Sequence, residues 1–296
     1  MGDATFNVGD VQVTRIEEAY GPTFPLDMMF VGFSQDIVDD HGGGAEFSKF
    51  YEVDTGMVLC SIHSWLVRTP QSVVLIDTCC GNGKDRPAMP TMHQLDTPFI
   101  DRLAAAGVAP EDVDYVVCTH LHVDHVGWNT HLVDGEWVPT FPNATYVMNS
   151  TEFDFWKPGN PASAAIEINA GVFEDSVLPA FDRDQVDLWD GDREIDGVLH
   201  LETATGHTPG HAVAWLESKG ERAVFAGDSM HSPMQVYEPS LGCAFDIDAA
   251  AATAARRGLL ETCVERGALL LPAHFASPHA WNVVQKGDGL APVAAG

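Results

Sequence analysis

The sequence predicts an α/β (α+β) fold in which two β-sheets pack face to face and helices cover their outer faces. Apolar runs rich in Val, Ile and Leu alternate with helix-like stretches along the 296 residues, and turn residues separate them. The two halves, about 1–150 and 151–296, have a similar order of elements, with strands first and a helix afterwards. We therefore expect a single domain, 1–296, built from two similar halves.

The first half begins this pattern with two strands, at residues 61–68 and 72–77, joined by a Thr-Pro-Gln turn. A helix then begins at Pro98, because proline fits the first turn, and ends at Gly107, which tolerates the left-handed conformation of a helix end. A buried strand at residues 114–119 follows. A histidine-rich segment comes directly after that strand.

The second half repeats strands and then a helix. Three successive strands are predicted at residues 198–203, 212–218 and 222–226. Asp248 can cap an alanine-rich helix that runs to about Glu265, and Gly267 closes it before a strand at residues 268–271. Each of these strands is short enough for an ordinary sheet.

Composition places the chain among globular proteins, with 45% hydrophobic and 20% charged residues. No stretch approaches the roughly 18 consecutive apolar residues of a membrane span, and residues 1–10 lack the basic and apolar regions of a secretion signal. The six cysteines include no CxxC pair, which favours reduced core thiols over a disulfide framework. These features predict a cytoplasmic protein that does not bind membranes.

The charge balance argues against a nucleic acid partner. The chain carries 43 acidic and 15 basic residues, a formal net charge of -28, whereas nucleic-acid binding depends on Lys and Arg. The acidic excess is spread along the chain and is typical of a strongly solvated surface.

Residues 20–57 differ from the rest, because Phe24, Met28, Met29, Phe30 and Phe33 lie in an irregular region. That region includes Gly42, Gly43 and Gly44. We interpret it as a long loop that packs on the core, closes as an apolar lid over a pocket, or forms the interface of a homodimer.

A cluster of histidines carries the chemistry. Residues 119–127 read Thr-His-Leu-His-Val-Asp-His-Val-Gly, and three imidazolium rings so close together would repel one another unless a metal kept them neutral. Residues two apart in an extended turn project the same way, so His120 and His122 can share one ion, and Asp124 and His125 then face a second. Each ion needs about four ligands, so others must come from distant sequence.

Three further ligands are predicted after strands of the second half. His207 lies in the Gly-rich turn 205–211, Asp228 follows Phe-Ala-Gly at a strand end, and His274 follows Leu-Pro-Ala. Asp228 could bridge two ions. We interpret His211, at the end of the same turn as His207, as a supporting or structural residue.

The HxHxDH motif, followed in order by a distant His, Asp and His, resembles the metallo-β-lactamase-fold superfamily over residues 58–275. The resemblance implies an αββα four-layer sandwich with the metals at one edge of the two mixed sheets. It assigns one ion to His120, His122 and His207, a second ion to Asp124, His125 and His274, and the bridging position to Asp228. It also implies that Asp77 orients a ligand imidazole.

At several positions this chain has residues that differ from those of other branches of the superfamily, and these differences exclude some activities. The commonest zinc β-lactamases carry Cys where this chain has Asp228, and flavin-linked di-iron relatives carry an acidic residue at the place of His122. Residues 227–231 are similar to those of N-acyl homoserine lactonases, pyridoxolactonases and methyl-parathion hydrolases. Some lactonases have Tyr where this chain has His231, so His231 is either a hydrogen-bond donor to the substrate or a residue bonded to backbone.

We therefore expect a dinuclear metallo-hydrolase that opens a carboxylic ester, with a lactone as the leading substrate. Two cations lower the pKa of a shared water from about 15.7 towards 7, so metal-bound hydroxide is the expected nucleophile, and Asp124 or Asp228 would shuttle the proton. Zinc is the expected metal, and iron, manganese and cobalt suit the same ligands. Phosphotriester or thioester hydrolysis is the alternative activity, and a non-catalytic protein that senses a ligand is the alternative class.

Overall fold

The computed structural model describes residues 4–41 and 49–295. Its strands are β1 (Thr5–Val8), β2 (Val11–Pro25), β3 (Phe30–Val31), β4 (Tyr51–Glu52), β5 (Met57–Arg68), β6 (Val73–Ile76), β7 (Tyr115–Val117), β8 (Thr130–Val133), β9 (Glu136–Pro139), β10 (Thr145–Asn149), β11 (Val186–Trp189), β12 (Arg193–Ile195), β13 (Leu199–Thr203), β14 (Ala212–Ser218), β15 (Glu221–Gly227), β16 (Gly242–Cys243), β17 (Leu269–Pro272), β18 (Trp281–Lys286) and β19 (Gly289–Ala294).

Helices connect and cover these strands. The α-helices are α1 (Leu26–Met29), α2 (Gln35–Asp40), α3 (Phe99–Ala105), α4 (Ser150–Trp156), α5 (Leu178–Phe181), α6 (Met234–Tyr237) and α7 (Ala249–Arg266). Short 3-10 turns occur at Pro90–Met92, Pro110–Asp112, Gly127–Asn129, Ser163–Ala165 and Glu167–Asn169, and a π turn at Phe173–Val177.

Two large sheets organise the chain. The first has the strand order β1-β2-β5-β6-β7-β10-β11, with β4 also paired to β5. Its pairs are antiparallel up to β6 and parallel from β6 to β11. The second has the order β12-β13-β14-β15-β17-β18-β19, and only the β15–β17 pair in it is parallel. Both sheets are therefore mixed.

Alternating side chains of a strand enter different cores. In β6, Val74 and Ile76 belong to the core between the two sheets, whereas Leu75 belongs to the core beneath α3. In β15, Phe225 faces the same inter-sheet core and Val224 packs towards α7. Because successive strand residues point to opposite faces, each sheet is buried on both sides. The result is the predicted four-layer arrangement, helix, sheet, sheet, helix.

Most predicted elements lie within a few residues of those in the structure. The strand predicted at 61–68 begins earlier, at Met57, and the helix predicted from Pro98 begins at Phe99. Asp248 caps α7 by accepting from the N–H groups of Ala250 and Ala251, and Gly267 closes the helix with a φ of 62°. All six cysteines are buried and unpaired, as expected of core thiols.

The interpretation of residues 20–57 as one long loop is wrong. The segment contains the end of β2, then α1, β3, α2 and β4. Leu26, Met29 and Phe30 are buried in the core of the second sheet, so apolar packing orders a region whose local sequence lacks a clear period. Gly42, Gly43 and Gly44 lie outside the described residues.

Within residues 4–41 and 49–295, no helix has the length and hydropathy to cross a bilayer.

Candidate metal centre

The residues predicted as ligands follow strands that end at one edge of the sandwich. The segment 120–125 follows β7, and His207, Asp228 and His274 follow β13, β15 and β17. These last three strands run in one direction, because β14 is antiparallel to both β13 and β15, and β17 is parallel to β15. The carboxyl ends of these three strands and of β7 therefore deliver side chains from four separate segments to one place.

Three imidazoles converge on a common point. Nδ1 of His122 lies 3.0 Å from Nε2 of His120 and 3.0 Å from Nε2 of His207. Nδ1 of His122 carries either one hydrogen or one lone pair, so it cannot form good hydrogen bonds with both neighbouring nitrogens at once. Tetrahedral ligands about 2.0–2.1 Å from zinc lie about 3.3 Å from one another. The spacing of these nitrogens suits one shared cation.

A second group forms beside the first. Nε2 of His125 lies 3.2 Å from Nε2 of His274. The carboxylate of Asp124 faces both rings, with oxygens 3.7 Å from His125 and 3.6 Å from His274. These three side chains could also hold a metal ion.

The carboxylate of Asp228 lies between the two groups. Its Oδ1 is 3.2 Å from Nε2 of His125 and 3.0 Å from Nε2 of His274, whereas its Oδ2 is 3.3 Å from Nε2 of His207. Oδ1 is buried and has no hydrogen-bond partner among the described residues. Such an oxygen is costly to bury unless a cation satisfies it. The donor set therefore fits a pair of metal ions joined by one carboxylate.

Burial and charge set the protonation of these groups. Burial lowers the pKa of His120 and His122 well below the ordinary value, so both rings are neutral, as a metal ligand must be. Burial also acts on His125, but the nearby carboxylates, above all Asp228, outweigh it and raise the pKa of that ring. Burial raises the pKa of Asp228, but the surrounding imidazoles outweigh it and lower that pKa well below the usual range.

The second nitrogen of several of these rings is held by the protein. Nδ1 of His125 donates to Oδ2 of Asp77 over 2.9 Å, and Asp77 in turn accepts from the N–H and hydroxyl of Thr119. Nδ1 of His274 donates to the carbonyl of Ser61, whose own N–H donates to the carbonyl of His274. Such bonds fix the ring and turn its other nitrogen towards an ion.

Two supporting carboxylates were missed by the sequence analysis. Asp246 accepts from Nδ1 of His207 over 3.0 Å. Glu152, buried in α4, accepts from the N–H groups of Leu121 and Gly210 and so joins the turn of His120 to the turn of His207. The sequence holds no signal for either residue, because 43 acidic side chains are spread along it.

His211 lies beneath the group and touches Asp228. Its Nε2 accepts from the N–H of Asp228 over 3.0 Å, and its Nδ1 donates to the carbonyl of Ala204. Burial lowers the pKa of His211 to about 3, so the ring is neutral. This placement agrees with the interpretation of His211 as a supporting residue and His207 as the ligand.

His231 lies beside the bridging carboxylate. Its Nε2 is 3.0 Å from Oδ2 of Asp228, and its Nδ1 is buried with no hydrogen-bond partner among the described residues. The ring therefore bonds to a carboxylate and not to backbone, which was the alternative. His231 also forms part of the wall of a cleft beside the candidate ligands.

An apolar cleft opens onto these side chains. Its walls are formed by Thr23, Phe24, Met29, Cys60, Ile62, Met89, Met92, His122, Val123, Asp124, Ile168, Asp228, His231, Phe245 and His274. Among the described residues, the lining includes no Lys or Arg. Phe24 and Phe245 face each other with ring centroids 5.3 Å apart. Such walls suit an uncharged, largely apolar ligand.

The metallo-beta-lactamase superfamily model matches residues 57–274, which include both groups of candidate ligands. The chain belongs to this superfamily. It is therefore a hydrolase of the metallo-beta-lactamase superfamily, and its two mixed sheets with outer helices are those of that fold.

Relatives in the superfamily include lactonases. The N-acyl homoserine lactonase AttM of Agrobacterium fabrum (strain C58) is 31% identical over 197 residues, which are 55% of this chain and 68% of that protein. The structure of AidC, a dizinc quorum-quenching lactonase in complex with a product, has a TM-score of 0.81 at 21% identity and covers 100% of this chain and 98% of that chain. The hydrolase AbOPH has a TM-score of 0.81 at 25% identity, with the same coverage.

Proposed function

We propose that this metallo-beta-lactamase superfamily hydrolase uses two metal ions to open a carboxylic ester, and that its substrate is a lactone. The position of Asp228 carries the proposal, because one oxygen of its carboxylate faces each group of candidate ligands. The lactonase relatives support the choice of a lactone. Phosphotriester or thioester hydrolysis is the alternative activity of the same centre.

The residues divide between two ions. His120, His122 and His207 would hold one, and Asp124, His125 and His274 would hold the other, with Asp228 shared. Zinc is the proposed metal, since nitrogen and carboxylate oxygen at these spacings suit it. When bound, the ions would supply Lewis acidity that lowers the pKa of a water towards about 7 and polarises the ester carbonyl.

Side chains of this protein would transfer the proton and stabilise the leaving oxygen. Asp124 is the more exposed of the two acidic ligands, at 15% of its side chain, so it can pass a proton between the centre and the cleft. Asp228, the alternative shuttle, is the weaker proton acceptor, because the surrounding imidazoles hold its pKa well below the usual range. Once Asp228 is taken up by the ions, the Nε2–H of His231 that now faces its carboxylate would be free to donate to the oxygen that leaves when the ring opens. No serine or cysteine nucleophile is needed.

The cleft supports a neutral substrate with an apolar substituent. Its walls carry Phe, Met, Ile and Val side chains, and its acidic members are among the proposed metal ligands. An acyl chain or ring would replace water against these walls and gain roughly 25 cal/mol for each Å² buried. An anionic group on that part of the substrate would meet no Lys or Arg among the described residues of the lining.

Metal analysis and a hydrolytic panel together test the proposal. The chain is stripped with a chelator, reconstituted separately with zinc, manganese, cobalt and iron, and assayed on lactones, aryl esters, phosphotriesters and thioesters. We expect two equivalents of metal and metal-dependent lactone opening. The His120→Ala variant should lose turnover, whereas His200→Ala, on an exposed position of β13, should not.

The outcomes separate the alternatives. Turnover of thioesters or phosphotriesters alone would replace the lactone with that substrate. A metal-loaded chain that binds lactones and hydrolyses nothing would favour a binding protein. Less than one equivalent of metal after reconstitution would end the dinuclear proposal.

A further inference from the structure

The guanidinium of Arg256 is fully buried inside the second sheet's helical layer, although it comes from α7 and touches no candidate ligand. Its Nε donates to the carbonyl of Ser229 over 2.7 Å, and its Nη1 donates to the carbonyls of Pro239 and Leu241. Its Nη2 lies 3.4 Å from Oδ2 of Asp246. The side chain of Arg256 therefore contacts four residues of segment 229–246, which begins directly after Asp228.

Asp246 connects this guanidinium to His207. Its Oδ1 accepts from Nδ1 of His207 over 3.0 Å, and its Oδ2 also accepts from the N–H of Cys243. The main chain adds a second attachment, because the N–H of Ile247 donates to the carbonyl of His207 over 3.0 Å. His207 is thus held at its ring and at its backbone by residues that Arg256 positions.

The other group of candidate ligands is supported from elsewhere. His125 is held by Asp77, which follows β6 of the first sheet, and His274 is held by the carbonyl of Ser61 in β5. Neither bond involves α7 or residues 239–248. His207 is therefore supported separately from His125 and His274, whereas His120 contacts Thr119, which donates to Asp77.

We propose that Asp246 and Arg256 are positioning residues that tune the affinity of the His120–His122–His207 position for its ion, independently of the other position. The inference rests on the proposed dinuclear centre. A ligand imidazole binds a metal well only if its second N–H is held by an acceptor in the right place, and loss of that acceptor costs about 10- to 100-fold in affinity. The guanidinium faces the Asp246 carboxylate inside the protein, with Nη2 3.4 Å from Oδ2, so it can hold that carboxylate in place.

Single-ion backgrounds give the sharpest test. In a His274→Ala chain only the first position remains complete, and in a His122→Ala chain only the second does. Asp246→Asn is added to each, and the zinc affinity is measured by competition with a chromophoric chelator. We expect a loss of about 10- to 100-fold in the first background and no change in the second. Asp77→Asn should weaken the second position more than the first, because Asp77 accepts directly from His125 and reaches His120 only through Thr119.

Arg256→Lys and a structural control complete the design. Arg256→Lys keeps the charge but has fewer donors, so its loss in the first background should be smaller than that of Asp246→Asn. Glu18→Gln changes another buried carboxylate, which accepts from the N–H of Cys80 and from the indole of Trp128. It should lower the free energy of unfolding and should not change the zinc affinity of one position more than that of the other. Cobalt absorption spectra report whether the coordination of the remaining ion changes.

The outcomes distinguish this inference from the proposed function. A wild-type chain that takes up two equivalents, together with an Asp246→Asn effect that is equal in both backgrounds or absent from both, would overturn the positioning role alone. A wild-type chain that takes up less than one equivalent would overturn both proposals.

Discussion

The main-chain N–H of Asp228 donates a hydrogen bond of 3.0 Å to Nε2 of His211. The neighbouring Gly227 makes this approach possible, because its φ is 48° and a Cβ there would lie 2.7 Å from the same nitrogen. His211 is fully buried and its other nitrogen donates to the carbonyl of Ala204. A neutral imidazole therefore fixes the backbone of the residue that lies between both groups of ligands.

We expect His211→Ala to destabilise the protein by about 2–4 kcal/mol, since it leaves a cavity and two unsatisfied main-chain groups. It should also weaken metal binding, because the Asp228 carboxylate loses its anchor. Urea unfolding and metal analysis measure the two effects. His200→Ala removes an exposed imidazole and should change neither. Equal stability of the two variants would show that His211 does not anchor Asp228.

The convergence of the candidate ligands could be predicted because its signal is local and dense. Three histidines and an aspartate within residues 120–125 have few structural explanations, and His207, Asp228 and His274 each follow a recognisable strand. The strands themselves follow a clear apolar pattern. The same reasoning placed both ends of α7, because Asp248 and Gly267 are characteristic of helix caps.

The supports of those ligands could not be predicted, because they depend on contacts between distant segments. Asp246 and His207 are 39 residues apart, and Glu152 contacts Gly210 across 58 residues. Residues 20–57 were misjudged for a related reason. Tertiary burial of Leu26 and Phe30, and not local periodicity, forms their short helices and strands.

His231 is expected to act on the reaction and not on metal uptake. Its Nε2–H lies 3.0 Å from Oδ2 of Asp228 and is the donor that the ring can offer, and the ring contributes to the cleft wall. We expect His231→Ala to lower kcat on the best ester by about 100-fold, the usual cost of one lost donor to a developing charge. KM and metal content should change little. Unchanged turnover on every ester of the panel would remove His231 from the mechanism.

Phe24 is expected to set the preference for apolar substituents. It lines the cleft opposite Phe245. We expect Phe24→Ala to lower kcat/KM for a long-chain lactone by about 5- to 30-fold, equivalent to about 1–2 kcal/mol of lost apolar contact. A lactone without a side chain should be affected much less. Phe6→Ala in β1, a partly buried residue outside the cleft, is the control, and parallel losses on both lactones would contradict a role in selectivity.

Lys84 gives the protein a pH dependence away from the metal centre. Its side chain is fully buried, with Nζ 3.6 Å from the centroid of the Trp137 ring and 2.6 Å from the hydroxyl of Thr130. Burial lowers its pKa from 10.5 to about 7, against the opposing effect of Asp175. Between these two values the unfolded chain binds a proton that the folded chain does not, so stability rises with pH across this window.

We expect the free energy of unfolding of the wild type to rise between pH 7 and about 10 relative to that of Lys84→Met. The rise should be roughly 1–3 kcal/mol, less than the full 1.4 kcal/mol per pKa unit, because relaxation around a buried ammonium screens part of its cost. Urea unfolding at several pH values measures the difference. Lys157→Met, at an exposed position after α4, should follow the wild type. Parallel profiles for the wild type and Lys84→Met would mean that Lys84 keeps its proton in the folded protein, and that its contacts with Asp175 and Thr130 outweigh burial.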